Sequence, residues 1–265
     1  VEDYWSKPKQ SRFQFSPNGQ YFSYQEKDAK SKNHLYVKNT TTNKITKILE
    51  EKDELIRGYA WVNNNRLIYI QDKGGDENYQ LFAVDIDGKN NKALTPFDNV
   101  MVLILRVLKD QPDYVIIQMN KDNPQIFEPY KINVKTGELV KLFENKDISS
   151  PIMEYYFDKD GNLRAYTQQQ NGVENTLYYR SGATSSFSKI ITTTWKDTFS
   201  ILDFDYTSSD QAYIISNLNS DKAELVLYDL KANKPVKTVY KNDTYDISDA
   251  TFSRKRNYEL DYVSY

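Results

Sequence analysis

The chain has 265 residues, and its 35 Lys and Arg against 37 Asp and Glu leave a net charge of −2, so bulk charge provides no means of gripping nucleic acid or an anionic membrane surface. Aromatic residues make up 14% of the chain, with 22 Tyr and 12 Phe, which is the composition of a folded protein and not of a disordered one. The longest apolar run, residues 100–105 closed by Arg106, is far short of the roughly 18 residues that span a bilayer, so no membrane span is expected.

The absence of Cys excludes disulfides, thiolate nucleophiles and cysteine-ligated zinc. A single His, His34, means that any Ser-His-Asp triad or histidine metal centre would have to be built around that one ring. Nothing after Val1 reads as a charged segment followed by an apolar one, so a targeting segment is expected to be absent or already removed.

In chain order, an aromatic or apolar residue followed by a polar turn returns six times: FSPNGQY from Phe15, WVNNNRL from Trp61, VLKDQPDY from Val107, FDKDGNLR from Phe157, YTSSDQAY from Tyr206 and FSRKRNYE from Phe252. The steps are 46, 46, 50, 49 and 46 residues. An alternating apolar segment recurs in phase as HLYVKN, QLFAVD, PYKIN, TLYYRS and LVLYD, and a third anchor as TKILE, KALTP, VKLFE, SKIIT and VKTVY. Three anchors holding one phase over five repeats define a repeat architecture.

The segments are short, rich in Val, Ile, Tyr and Phe, and bounded by turn residues, so they read as strands. Repeat two shows four of them, RGYAWV, RLIYIQD, YQLFAVD and NKALTP, with Asn63 to Asn65 as the first turn. Four antiparallel strands per repeat predict an all-β fold, a β-propeller forming one domain. Five complete blades are expected at about 11–50, 55–97, 102–145, 152–194 and 201–241, with a partial sixth at 247–265. No helix is expected beyond a turn near Ser6 to Gln10. Phe15, Trp61, Val107, Phe157, Tyr206 and Phe252 share one blade position and are expected in the core.

The stretch WVNNNRLIYIQDKGGDENYQLFAVDIDGKNNKALTPFDNV, followed by NKDNPQIFEPYKINVKTGELVKL, resembles the N-terminal propeller of bacterial serine peptidases of the prolyl oligopeptidase family, acylaminoacyl and dipeptidyl peptidase-like members included. The S-P-N-G turn at Ser16 to Gly19 is also similar to the S-P-D-G turn of TolB-type propellers, which makes a stand-alone protein-binding module the alternative.

The resemblance implies a non-catalytic domain that filters peptides on their way to a C-terminal α/β-hydrolase domain of the same protein. The G-x-S-x-G elbow of that domain is absent, and RSGATSS from Arg180 lacks its second Gly. The catalytic domain is therefore expected beyond Tyr265, in a bacterial cytoplasmic or periplasmic protein. Family propellers have seven or eight blades, so the ring is expected to be truncated and able to self-associate through its open end.

No cofactor or metal site is predicted. Asp158-Lys-Asp160-Gly161-Asn162 opens like a calcium loop but has Gly fourth and no Glu twelfth, so it reads as a turn. Asp76, Glu77 and Asn78 sit in a Gly-rich hairpin loop of blade two, where they are either loop residues alone or contacts to the catalytic domain or a substrate amine. Arg57, Arg106 and Asp203 precede core positions on first strands and are candidates for a polar channel that meets substrate. His34 is expected to be an ordinary surface or edge histidine, and Glu50-Glu51 to be solvated charge.

Overall fold

A computed structural model of the protein describes residues 8–253, 256 and 258–265. The turn expected near Ser6 and part of the last anchor, at Arg254, Lys255 and Asn257, lie outside them. Within the described residues every regular element is a strand. The first sheet holds β1 (Gln10–Phe15), β2 (Tyr21–Lys27), β3 (Asn33–Asn39) and β4 (Ile45–Leu49); the second holds β5 (Ile56–Asn63), β6 (Arg66–Gln71), β7 (Gln80–Asp85) and β8 (Lys92–Ala93). The third consists of β9 (Val102–Val107), β10 (Tyr114–Asn123), β11 (Ile126–Asn133) and β12 (Leu139–Lys141). The fourth has β13 (Ile152–Phe157), β14 (Leu163–Gln170), β15 (Glu174–Tyr179) and β16 (Ser188–Thr193). The fifth has β17 (Phe199–Phe204), β18 (Gln211–Ser216), β19 (Glu224–Asp229) and β20 (Lys234–Tyr240), and β21 (Asp249–Ser253) pairs with β22 (Glu259–Ser264). Each sheet is an antiparallel meander in chain order.

The sheets group into two compact units, residues 1–144 and 145–265. In the first unit, the second sheet is buried on both faces. Trp61, Leu67, Tyr69 and Val84 pack against Leu35, Val37 and Ile48 of the first sheet. Val62, Ile68, Leu81 and Ala83, one position out of phase with them, pack against Val102, Val115, Ile117 and Ile132 of the third. A strand carries neighbouring side chains to opposite faces, so RLIYIQ is continuously apolar for the same reason that an exposed strand alternates. In the second unit, Leu177 and Tyr179 meet Phe204, Ile214 and Val226, and Ile215 and Leu225 meet Ile247 and Ala250.

Trp61 (4% exposed) and Phe157 are buried as expected, and Trp61 donates its indole N–H to Ser23 Oγ at 2.8 Å, a bond from the second sheet to the first. Phe15 departs from the expectation, being 62% exposed. It lies on the face of the first sheet turned away from the second, where its ring centre is 5.0 Å from that of its neighbour Phe22. Val107, Tyr206 and Phe252 are half-buried.

Two arginines pin sheet to sheet. Arg66, the first residue of β6, pairs with Asp85 and donates Nε–H to Val134 O of the third sheet at 3.0 Å. Arg164, the second residue of β14, donates to Tyr179 Oη, Ser181 O and Ser209 O, each at 2.8 Å, and its guanidinium lies 3.5 Å from Asp158 Oδ2. Removing a buried charge leaves its partners unpaired, so Arg164→Met is expected to lower unfolding free energy by roughly 3 kcal/mol, read by urea denaturation. Arg164→Lys should recover only part of this, because an ammonium cannot reproduce the forked set of donors.

Candidate functional site

At the end of the second sheet where β5 begins, two connections converge. The one entering β5, residues 50–55, is held by Glu51. This side chain is 2% exposed, and its carboxylate accepts the N–H groups of Asn33 at 3.1 Å and Ile56 at 2.9 Å. Its own N–H is donated to His34 Nδ1 at 3.1 Å, and His34 Nε2 lies 3.3 Å from Asp28 Oδ2.

Both residues depart from the sequence expectation. His34 is buried rather than at the surface, and Glu51 is an internal clip rather than solvated charge. The chain turns from one sheet to the next here and leaves backbone N–H groups without ladder partners, and a carboxylate and an imidazole nitrogen satisfy them. Glu50, beside Glu51, stays exposed, and its pairing with Lys47 at 3.2 Å holds its carboxyl below the usual range.

The β6–β7 connection, residues 72–79, is tied to this clip. Glu54 Oε2 accepts Gly74 N–H at 2.7 Å, Gln71 Nε2 donates to Glu54 O at 2.8 Å, and the Arg57 guanidinium lies 5.6 Å from the centre of the Tyr79 ring. Gly74, Gly75 and Glu77 all have positive φ, which the two glycines adopt without strain. Asp76 accepts Asn78 N–H at 3.0 Å and Asn78 Nδ2 at 3.3 Å, and these hydrogen bonds lower its carboxyl pKa. Asp76 and Glu77 are exposed and Asn78 is half-buried. At the foot of the loop, Asp72 is only 4% exposed, and one of its carboxylate oxygens, Oδ2, has no hydrogen-bond partner among the described residues.

Of the residues singled out in the sequence, Arg57, Asp76, Glu77 and Asn78 come together at one end of one sheet. Arg106 lies on β9 at the end of its strand opposite to the one Arg57 occupies on β5. Asp203 belongs to the second unit, where its carboxylate accepts Phe204 N–H at 2.9 Å and Tyr206 Oη–H at 2.6 Å. Sequence reasoning misses Asp72 and Glu54 and reads Glu51 as solvated charge. The signal available for them is position, since each flanks a point where the chain leaves a strand at the same end of the sheet.

Beside the cluster is a polar cavity of about 350 Å³, lined by Arg12, Gln25, Glu51 and Arg57 among others. Arg12 donates to Arg57 O, and the Tyr59 hydroxyl donates to Arg12 O. Burial pushes the Tyr59 phenol up to about 12, and that of Tyr130 equally. The arrangement offers fixed carboxylates and guanidinium groups at a surface, which suits docking and orientation of a polar partner.

The chain is 27% identical over 183 residues to dipeptidyl aminopeptidase BIII of Pseudoxanthomonas mexicana, an alignment covering 69% of this chain and 26% of that protein. It is 22% identical over 231 residues to dipeptidyl peptidase family member 6 of Caenorhabditis elegans, covering 83% and 29%. The chain thus spans between a quarter and a third of the curated relatives it matches. Prolyl oligopeptidase B from Galerina marginata superposes with a TM-score of 0.62 at 12% identity, covering 91% of this chain and 39% of the other. The fold is that of prolyl oligopeptidase propellers. TolB from Acinetobacter baumannii shares it at a TM-score of 0.50 and 12% identity, over 86% of this chain and 55% of its own. No family model matches the chain.

Two outcomes follow from the geometry of this propeller. Glu51→Ala strands two N–H groups at about 1–3 kcal/mol each and should cost roughly 2–4 kcal/mol in chemical denaturation, whereas Glu50→Ala should stay within about 0.5 kcal/mol of the parent. The raised Tyr59 and Tyr130 values mean that the fold favours their protonated forms. That contribution is intact below pH 10 and is lost as pH rises toward about 12, and burial raises Tyr156 and Tyr179 further still, so tyrosinate absorbance should show a late-titrating group of phenols, these four among them, followed by unfolding.

Proposed function

We propose that the chain is the non-catalytic propeller domain of a serine peptidase, one that gates and filters peptide access to an α/β-hydrolase domain. The observation that carries this reading is the pairing of two dipeptidyl peptidase relatives with a propeller fold that covers most of this chain and only 39% of a prolyl oligopeptidase. In such an arrangement the cluster of Arg57, Asp76, Glu77 and Asn78 meets the catalytic domain or the incoming peptide. Arg106 in the first unit and Asp203 in the second are each proposed as contacts to substrate.

The test uses the full-length gene product. Arg57→Glu and Asp76→Lys are expected to change KM for long peptides while leaving turnover of a dipeptide reporter within about twofold, because filtering acts on entry and not on the chemical step. The chain by itself should give no turnover of peptidyl or aminoacyl reporters. Hydrolysis by this chain that a serine-directed inhibitor blocks would overturn the reading. A gene that carries no G-x-S-x-G segment would instead favour a binding module of the TolB kind.

A further inference from the structure

In the second unit the connections at the two ends of the sheets differ in kind. At the end where β13, β17 and β21 begin, every connection carries one exposed large apolar side chain: Ile148, Val173, Trp195, Leu218 and Tyr245. At the opposite end, in residues 158–162, 180–187, 205–210 and 230–233, no large apolar side chain is exposed among the described residues. Single exposed apolar residues are ordinary, but their segregation to one end is not.

Trp195 is 81% exposed in a turn that is built to hold it. Asp197 Oδ2 accepts both the N–H and the hydroxyl of Thr194 at 2.9 Å, and Asn217 secures both flanks, accepting Thr198 N–H at 2.7 Å and donating to Lys196 O at 3.2 Å. The Lys196 ammonium lies 5.2 Å from the centre of the indole ring. A rigid, presented indole is the form that interface anchors take, because little freedom is lost when it is buried.

A cavity of about 210 Å³ opens beside this turn. Its apolar lining is Leu177, Ile191 and Phe199; its charged lining is Glu154 and Asp197, with no Lys or Arg. One Glu154 oxygen is taken by the Tyr156 hydroxyl, and neither carboxylate forms an ion pair among the described residues. The volume is below the roughly 300–1,000 Å³ of small-molecule sites and suits one long side chain.

From these features we infer that this end of the second unit binds an extended peptide segment in which an arginine or lysine enters the Glu154–Asp197 cavity while flanking apolar side chains pack on Trp195 and its neighbours. Charge selects the occupant: two carboxylates over an apolar floor match a basic head on an aliphatic stem. The site does not depend on the peptidase reading, since a propeller that filters nothing could still hold such a segment.

The experiment titrates the chain with an N-acetylated, C-amidated hexapeptide of leucines around one arginine, following Trp fluorescence and calorimetric heat. Acetylation removes the α-amine, so binding reports the side chain. Trp195→Phe should abolish the fluorescence change, and Trp195→Ala should weaken calorimetric affinity about tenfold or more. Glu154→Gln keeps an acceptor for Tyr156 and should weaken it about fivefold to tenfold, an effect that higher salt reduces in the parent. Circular dichroism and thermal melts confirm that each variant is folded. Equal affinity for a peptide with glutamate in place of arginine, unchanged affinity in Trp195→Ala, or no binding at millimolar peptide would overturn the inference, the last leaving this end to a folded domain.

Discussion

The second sheet must bury both of its faces, and most of the first unit follows from that demand. Four strands in meander order return the chain to the end from which it started, so each sheet hands over to the next at the same end. Trp61 faces one way and Val62 the other, and neither neighbouring sheet can be removed without exposing a complete apolar layer. The hydrophobic contribution is non-directional and fixes neither the angle nor the register of the stack. The directional bonds are added at the ends: Trp61 to Ser23, Arg66 to Val134 and, in the second unit, Arg164 to Ser209.

Those same ends are where the backbone runs short of partners, and the acidic residues divide accordingly. Glu51 and Asp158 are spent on main-chain N–H groups: Glu51 clips Asn33 and Ile56, and Asp158 holds Asp160 and Asn162 in the turn that Gly161 completes at φ +84°. Asp76 is an intermediate case, tying down its own loop while remaining exposed. Glu77 and Glu154 are exposed and hold no main-chain N–H with their carboxylates among the described residues, and they lie in different units.

The repeat, the strands and the blade topology were legible because each rests on local chemistry. Turn residues interrupt β-formers at a constant spacing, and a meander needs no long-range information to be recognised. The burial of individual residues was less so. Phe15 and Phe157 occupy the same repeat position before a polar turn, yet one is exposed and the other buried, because exposure depends on which face of a sheet has a neighbour. His34 and Glu51 depart from their sequence expectation for a related reason. A polar connection looks solvated in one dimension, and only the stacking of two sheets reveals that its N–H groups are cut off from water. The candidate site was legible in part: the Gly-rich loop and Arg57 converge, whereas Arg106 and Asp203 share only a position in the repeat.

Adjacent residues with the same chemistry can therefore have opposite roles, and Glu50 and Glu51 show what decides between them. Both carboxylates stand at the exit from β4, but one points toward solvent and Lys47, and the other toward two N–H groups of a sheet junction. A surface pair is worth about 0–1 kcal/mol and tolerates replacement, while a buried acceptor cannot be removed without stranding its donors. The distinction bears on where function can evolve in this fold. Residues that hold the junctions are committed to the stack, so new contacts have to be built from the loop tips that the junctions support, as Asp76 and Glu77 are in the first unit and Trp195 is in the second. Rigid supports beneath exposed tips let a propeller change what it binds without changing what holds it together.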